Sequence, residues 1–402
     1  MKSMENLPTR NMIDFFSQKG CNSNKIFYIL LILFEAAVIS LYFFVDFPKE
    51  YYGTDDVNML TSYENLFYSY FKIMTDQSIF ILVGFGFLYQ FFKLHRFTSL
   101  CITLFCAMIS MQLYILIGGL MEKCWTVSFN NKIKITYLNI IASMKATVSM
   151  MVCLGFLICR LNILNIFLVT IFEICLFSIN EALLFRQIGF LDMVGASYIH
   201  LFGSVFGMLT MFIYLKYHNI STSNLNLTKY FSLTISFIGL VTLWVYFPSF
   251  NAINPNYSIN SNINFNQRFL SIYNTYLSLI SSTLSTFVVS MIIHDGKLHI
   301  FDIFIGSVSG GVMIAGTCDM FTIPFPSLII GTCSGIISTL TYEYLNIKLE
   351  KIGINDVKGI VNSHLIPGFL GNITSIIVVL MLGKEWFCSK LKIQNEYIPF
   401  GR

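Results

Sequence analysis

The sequence predicts an all-α polytopic membrane protein with about eleven transmembrane helices. Of its 402 residues, 55% are hydrophobic and only 11% are charged, and the mean hydropathy is +0.69. Soluble proteins carry roughly 25% charged residues, so this chain cannot cover a water-facing surface and needs the lipid bilayer as its solvent. The apolar runs are continuous over about 20 residues, as a spanning helix requires, and lack the alternation of a membrane β-barrel.

Eleven runs have this length, near residues 26–46, 72–92, 98–121, 137–159, 162–184, 193–215, 229–248, 269–293, 300–319, 325–345 and 359–382. Residues 1–25 then form a cytoplasmic N-terminal segment and residues 383–402 a short polar C-terminal tail. Loops on the N-terminal side carry thirteen Lys and Arg residues against six in the opposite loops, with four more in the tail. Because positive loops stay in the cytoplasm, we expect the N-terminus inside and the C-terminus outside.

The spans indicate a repeated architecture. When the extra N-terminal helix 26–46 is set aside, ten helices divide into two five-helix repeats, 72–215 and 229–382. An odd number of helices per repeat makes the halves run in opposite directions. This is the inverted-repeat plan, in which the site lies at the repeat interface near the membrane midplane.

The last helix of each repeat contains a histidine that follows an aspartate by eight residues. His200 follows Asp192, and His364 follows Asp356. Eight residues of helix span about 12 Å, which places each aspartate near a helix end and each histidine well inside. An ionisable group inside a membrane is costly and indicates a functional site. Packed histidines and aspartates acting as helix N-caps are the structural alternatives.

Other residues give weaker signals. The ten cysteines form no CxxC pair, which gives no indication of a metal site, and we expect no cofactor and no nucleic-acid partner. No nucleotide motif or nucleophile triad indicates an enzyme. The remaining histidines fall in predicted loops, where we expect solvation: His95, His218, His294 and His299.

Motifs along residues 55–383 resemble the ammonium transporter/Rh glycoprotein family, and within it the Rh branch. In order, they are Val83–Leu88, Asn180–Glu181, Asp192–Gly203, Trp244–Asn251, Asn274–Tyr276, Gly310–Val312, Leu328–Leu340 and His364–Gly368. We expect the protein in the plasma membrane, and the resemblance implies a homotrimer with a pore through each subunit. In it, His200 and His364 are the hydrogen-bonded pore pair, and Phe250 is one of two stacked phenylalanines at the outer gate.

The resemblance also assigns supporting residues and shows two departures. Glu181 matches an acidic position that recruits cations in the outer vestibule, and Asp192 matches an aspartate near the outer end of its helix. Asn251, at the end of one of the motifs, and Asp356, eight residues before His364, are predicted to be supporting residues. The second gate phenylalanine, however, falls on Lys145, whose side chain either reaches the outer interface or faces the pore and restricts it. The family's long last helix has no counterpart after residue 382.

The predicted function is conduction of ammonia or ammonium. Burying an unpaired ammonium ion costs several kcal/mol at least. Giving up a proton costs about 3 kcal/mol at neutral pH, taking roughly 9 for the aqueous pKa and about 1.36 kcal/mol per unit. Neutral NH3 is therefore the expected permeant species. The alternatives are a channel for another small neutral molecule, such as CO2 or methylamine, and a non-conducting Rh-like scaffold.

Overall fold

The computed structural model describes residues 21–47, 68, 70–91, 96–126, 132–158, 160–188, 192, 194–218, 230–253, 262–351, 354, 356 and 358–397. Within these residues the chain is almost entirely helical. The exception is a short parallel pair of two-residue strands, β1 (Val45–Asp46) and β2 (Ile133–Lys134). Most of the predicted segment 1–25 and the end of the predicted tail lie outside the described residues.

Six helices lie in the described residues up to residue 218. They are α1 (Cys21–Leu41), α2 (Tyr70–Leu88), α3 (Arg96–Thr126), α4 (Tyr137–Leu157), α5 (Ile163–Ala182) and α6, which begins as a π-helical turn (Ala196–Leu201) and continues as Phe202–His218. The side chains of Thr136 and Asn162 cap α4 and α5, because each accepts the backbone N–H three residues later.

Five helices follow. They are α7 (Tyr230–Asn251), α8 (Asn262–Ile293), α9 (Ile300–Ile314), α10 (Phe325–Lys351) and α11, which begins as a π-helical turn (Val361–Leu365) and continues as Ile366–Tyr397. The last helix therefore extends about four turns past residue 382, where the sequence predicts that the final span ends.

Ten of these helices in the described residues are long and apolar enough to cross a membrane, and α9 is a shorter apolar helix of 15 residues. This confirms the all-helical membrane architecture with about eleven helices, and a helix lies at each predicted span, although α9 is shorter than the predicted 300–319. Helix α4 is central, because 94% of its apolar 18-residue stretch is buried. In α1 the buried share of the corresponding stretch is only 11%. Helix α1 lies at the edge, where Phe27 makes edge contacts with Phe105 of α3 and Phe167 of α5.

Small residues bring the helices of the second half close together. A Cβ added at Gly331 of α10 would lie 2.7 Å from the Cα of Ser278 in α8. One turn later, a Cβ at Gly335 would lie 3.0 Å from the carbonyl carbon of Ser282. Membrane helices associate through such small-residue contacts, since lipid supplies no hydrophobic driving force between them. The close packing of α8 and α10 supports α9, which contacts both.

Candidate functional site

Two imidazole rings meet in the interior of the helix bundle. His200 of α6 and His364 of α11 are both buried, and their Nδ1 atoms are 3.2 Å apart. The rings are nearly parallel, with centroids 5.1 Å apart and planes inclined by 19°. The two residues that the sequence singled out, one from each half of the chain, are thus in direct contact.

Both histidines lie in π-helical turns built by the same device. A glycine with a left-handed backbone precedes each turn, Gly195 with φ of +113° and Gly359 with φ of +67°. Each glycine stands five residues before its histidine, and the His200 N–H donates to the Gly195 carbonyl at 2.9 Å. Such π turns are rare and recur at functional sites. Here the wide turn carries the imidazole inward.

The two aspartates hold these turns. Asp192 accepts the N–H groups of Gly195 at 2.9 Å, Ala196 at 3.1 Å and Ser197 at 2.6 Å. Asp356 accepts those of Ile360 at 3.0 Å and Val361 at 2.6 Å. Both carboxylates therefore occupy capping positions, which satisfy backbone donors that the helix leaves unpaired.

Both aspartates lie between spans, where burial sets their titration. Burial raises the pKa of the Asp192 carboxyl, and the backbone N–H groups that it accepts act in the opposite direction. Burial raises the pKa of the Asp356 carboxyl to about 6, again against the pull of its backbone donors. Each turn thus combines a desolvated carboxylate with the donors that compensate it.

The hydrogen bond between the histidines defines their protonation pattern. A bond between two Nδ1 atoms needs one Nδ1–H donor and one Nδ1 acceptor, so at least one ring is neutral. In a pair of neutral rings, the donor ring presents an accepting Nε2 and the acceptor ring a donating Nε2–H. The buried Nε2 of His200 has no hydrogen-bond partner among the described residues. This free position suits a small polar molecule inside an apolar space.

Aromatic rings surround the histidine pair. The Phe250 ring makes an edge contact with His200 at 6.2 Å, and Phe85 stacks on His364 at 6.2 Å. Phe80 stacks on Phe250, with centroids 4.9 Å apart and planes inclined by 8°. Phe80 and Phe85 are the first and last residues of a π-helical turn in α2. Sequence reasoning missed Phe80, although a stacked partner for Phe250 was expected.

Lys145 is fully buried and lies against Phe250. Its Nζ donates to the Phe250 carbonyl oxygen at 3.2 Å and stands 4.5 Å from the centroid of the same ring. The alternative that this side chain reaches the membrane–water interface is therefore wrong, because α4 is the central helix and offers the lysine no path to the surface. The structure brings together the two residues expected at the outer gate.

The other predicted residues occupy polar positions around this centre. Glu181 is buried and accepts a short hydrogen bond from the Tyr114 hydroxyl, a partner that the sequence did not reveal. Asn251 donates to the Thr275 hydroxyl at 3.2 Å and to the Gly311 carbonyl at 3.0 Å. It therefore ties the end of α7 to α8 and α9. In the described residues, the side chains close enough to share a metal ion lie elsewhere, at His294, His299, Asp302 and Glu343.

Comparisons with known proteins agree with this architecture. A model of the Ammonium Transporter Family matches residues 36–395. Ammonium transporter Rh type B of Takifugu rubripes is 32% identical over 355 residues, which are 88% of this chain and 74% of that protein. The type B protein of Oryzias latipes is 30% identical over 362 residues, 90% of this chain and 76% of the relative. The solved structure of Rh50 from Nitrosomonas europaea is similar with a TM-score of 0.70 at 27% identity, covering 79% of this chain and 81% of that one.

Proposed function

Because the chain belongs to the ammonium transporter family, we propose that it conducts ammonia or ammonium across a membrane through the space around His200 and His364. The observation that carries this proposal is the buried histidine pair with an open Nε2 inside a ring of phenylalanines. Transport, and not catalysis, is the proposed activity. The relatives' names, which describe ammonium transporters, support the choice of substrate.

The proposed permeant species is neutral NH3. An ammonium ion that passes the apolar rings must lose its water, and an unpaired charge there costs several kcal/mol at least. Loss of a proton on the outer side costs about 3 kcal/mol at neutral pH, which makes deprotonation the cheaper route. NH3 then accepts and donates hydrogen bonds at the imidazole nitrogens and regains a proton on the far side.

Each surrounding residue has a proposed role. Phe80 and Phe250 close the outer side of the pore, and Glu181 attracts a cation to it. Asp192 and Asp356 hold the turns that aim the imidazoles, and Asn251 fixes the end of α7. These roles rest on the contacts of each side chain and, for Glu181, Asp192, Phe250 and Asn251, also on positions within the family motifs.

Lys145 has a more specific proposed role. Its side chain ends in an ammonium group that lies over an aromatic ring and donates to a carbonyl oxygen. An ammonium ion held at the same place would use the same two interactions. Lys145 therefore acts as a tethered substitute for the substrate cation, which restricts access to Phe250 until the amine moves or loses its proton.

The family membership and the sequence also support the setting of the proposed activity. We propose a homotrimer in the plasma membrane, with one pore in each subunit. The distribution of Lys and Arg favours cytoplasmic placement of the residues before α1. With eleven spans, the residues that follow the last span then face the opposite side.

Stopped-flow fluorescence with purified protein in liposomes tests the proposal. A pH dye inside the liposomes distinguishes the species, because incoming NH3 binds a proton and raises the internal pH, whereas incoming ammonium ion does not. We expect internal alkalinisation faster than in empty liposomes under an ammonium gradient. Rates equal to those of empty liposomes under an ammonium gradient would sink the proposal.

One observation favours a second candidate function, a scaffold that does not conduct: the buried amine of Lys145 at Phe250. Under this alternative, Lys145→Met would leave the liposomes as impermeable as before. Under the gate proposal, Lys145→Met increases the alkalinisation rate several-fold, since the tethered cation is gone and the side-chain length is kept. Methylamine and CO2 gradients, applied to the same preparations, identify a pore that prefers another neutral molecule.

A further inference from the structure

A second polar cluster lies at one end of the bundle, where the turn between α8 and α9 meets α10. It consists of His294 just after α8, His299 just before α9, Asp302 in the first turn of α9, and Glu343 of α10. Each residue offers one potential ligand atom, and these atoms all lie within 4.8 Å of one another. Four such atoms from two imidazoles and two carboxylates match the ligand types that zinc prefers.

Four separations among these side chains, measured to both oxygens of Asp302, are close to those between the ligands of a tetrahedral ion. The Nε2 of His294 is 3.2 Å from the Asp302 Oδ2 and 3.5 Å from the Glu343 Oε1. The Nδ1 of His299 is 3.4 Å from the Asp302 Oδ1 and 3.3 Å from the Glu343 Oε1. A tetrahedral zinc site with bonds of about 2.1 Å separates its ligand atoms by about 3.4 Å.

The local backbone is shaped to bring these side chains together. Asp295 and Gly296 have φ of +51° and +82°, and Asp295 is the one non-glycine residue with positive φ among the described residues. This conformation is uncommon outside glycine, and aspartate is among the residues that adopt it most readily. The resulting turn places the rings of His294 and His299 with centroids 5.1 Å apart. The Ser290 hydroxyl also accepts the His299 backbone N–H at 3.0 Å, which fixes the end of the turn.

The charge and burial of the cluster suit a divalent cation. The Asp302 side chain is fully buried and that of Glu343 is 21% exposed, so both carboxylates are partly removed from water. With neutral imidazoles, the four ligands carry a charge of about −2, which one divalent ion compensates. The histidines are partly exposed, at 28% and 40% of their side-chain surface, which leaves a path for an ion from solution.

We propose that His294, His299, Asp302 and Glu343 bind one zinc ion, or a divalent transition metal with the same ligand preference, in each chain. The ion joins the turn between α8 and α9 to α10. The site also lies near Gly359, which precedes the π-helical turn that carries His364. The His299 ring stacks on Tyr342 at 6.3 Å, and a Cβ added at Gly359 would lie 3.3 Å from the Tyr342 ring.

Metal binding by the purified full-length protein tests this proposal without any transport measurement. After treatment with EDTA and removal of the chelator, isothermal titration with ZnCl2 is expected to show one ion per chain. Co²⁺ is expected to give the intense visible absorption of a tetrahedral site. Zinc should also raise the melting temperature, because a ligand that binds only the folded state stabilises it.

Variants distinguish the site from adventitious binding. His299→Asn and Glu343→Gln should each abolish the stoichiometric binding and the zinc-dependent rise in melting temperature. Glu350→Gln is the matched control, since Glu350 is an exposed acid two turns further along α10. A melting curve in EDTA shows that each variant is folded. No bound zinc in the unaltered protein, or equal binding in all variants, overturns the proposal and leaves a histidine–carboxylate ion-pair network.

Discussion

The π-helical turns that carry His200 and His364 have the same construction, but different side chains lie against the two histidines. Both use an aspartate, a left-handed glycine three residues later and a histidine five residues after that. His200 lies beneath Phe247 and Phe250, whereas His364 lies beside Phe85. The device that aims the imidazoles therefore follows the repeat, and the side chains around it have diverged.

The amines near the two turns show the same divergence. Lys145 lies over Phe250 at 4.5 Å, and Lys358 lies over Tyr89 at 4.2 Å. One comes from the middle of α4 and the other from the loop between Asp356 and Gly359, so the repeat does not relate them. Similar turns with different neighbouring side chains fit the proposal that the two histidines carry the common chemistry. The neighbouring side chains would then control access to the pair from each side of the membrane.

Removal of the aspartates that cap the two turns is expected to have the largest effect, and it tests whether the two turns are held in the same way. Asp192→Ala leaves three backbone donors without their carboxylate and Asp356→Ala leaves two. At about 1.5 kcal/mol per bond, we expect losses of about 4.5 and about 3 kcal/mol in unfolding free energy. Thermal melts in detergent measure the order. A smaller loss for Asp192→Ala than for Asp356→Ala would contradict this account of the two caps.

The glycines give the next effect. Gly195→Ala forces a side chain into a left-handed backbone, where its Cβ would lie 2.9 Å from the Ile199 Cβ. Gly296→Ala is the control, because it shares the positive φ but its Cβ would have nothing within 4 Å. We expect a cost of about 1 kcal/mol for the control and at least about 2 kcal/mol for Gly195→Ala. Equal melting temperatures would contradict the role of this close contact.

The stacking of Phe80 on Phe250 gives the smallest specific contribution to stability. Phe80→Leu removes the stacking on Phe250, which we expect to cost about 1 kcal/mol beyond the lost area. Phe172→Leu is a control on α5, where the Phe172 ring is largely exposed on the bundle surface. Melting curves compare the two variants. If both melted at the same temperature, the Phe80–Phe250 pair would contribute nothing specific.

The sequence predicted the architecture well because hydropathy over 20 residues reports directly on a bilayer. It also found His200 and His364, since an ionisable residue in an apolar run stands out. The glycines before each turn were visible too: both segments share an Asp-x2-Gly-x4-His pattern. The aspartate-to-histidine spacing alone does not reveal these glycines.

Other features depend on packing that no local pattern encodes. Phe80 is one of forty phenylalanines, and only the π turn of α2 directs it onto Phe250. Lys145 is buried because α4 is the central helix of the bundle, and hydropathy does not show which of the spans is central. His294 and His299 were expected to be solvated, but they are half-buried against carboxylates. That difference arises because Glu343 approaches from another helix.

The central claim is that the histidine pair conducts ammonia, and replacement of either ring tests it most directly. His200→Leu and His364→Leu each replace an imidazole by an apolar side chain of similar volume and so remove the ring nitrogen atoms. Leu209→Ala, at an exposed position of α6, is the control. In liposomes under an ammonium gradient, internal alkalinisation should fall to the rate of empty liposomes for both histidine variants and stay unchanged for the control. Unaltered protein and His200→Leu giving the same rate above that of empty liposomes would contradict the account.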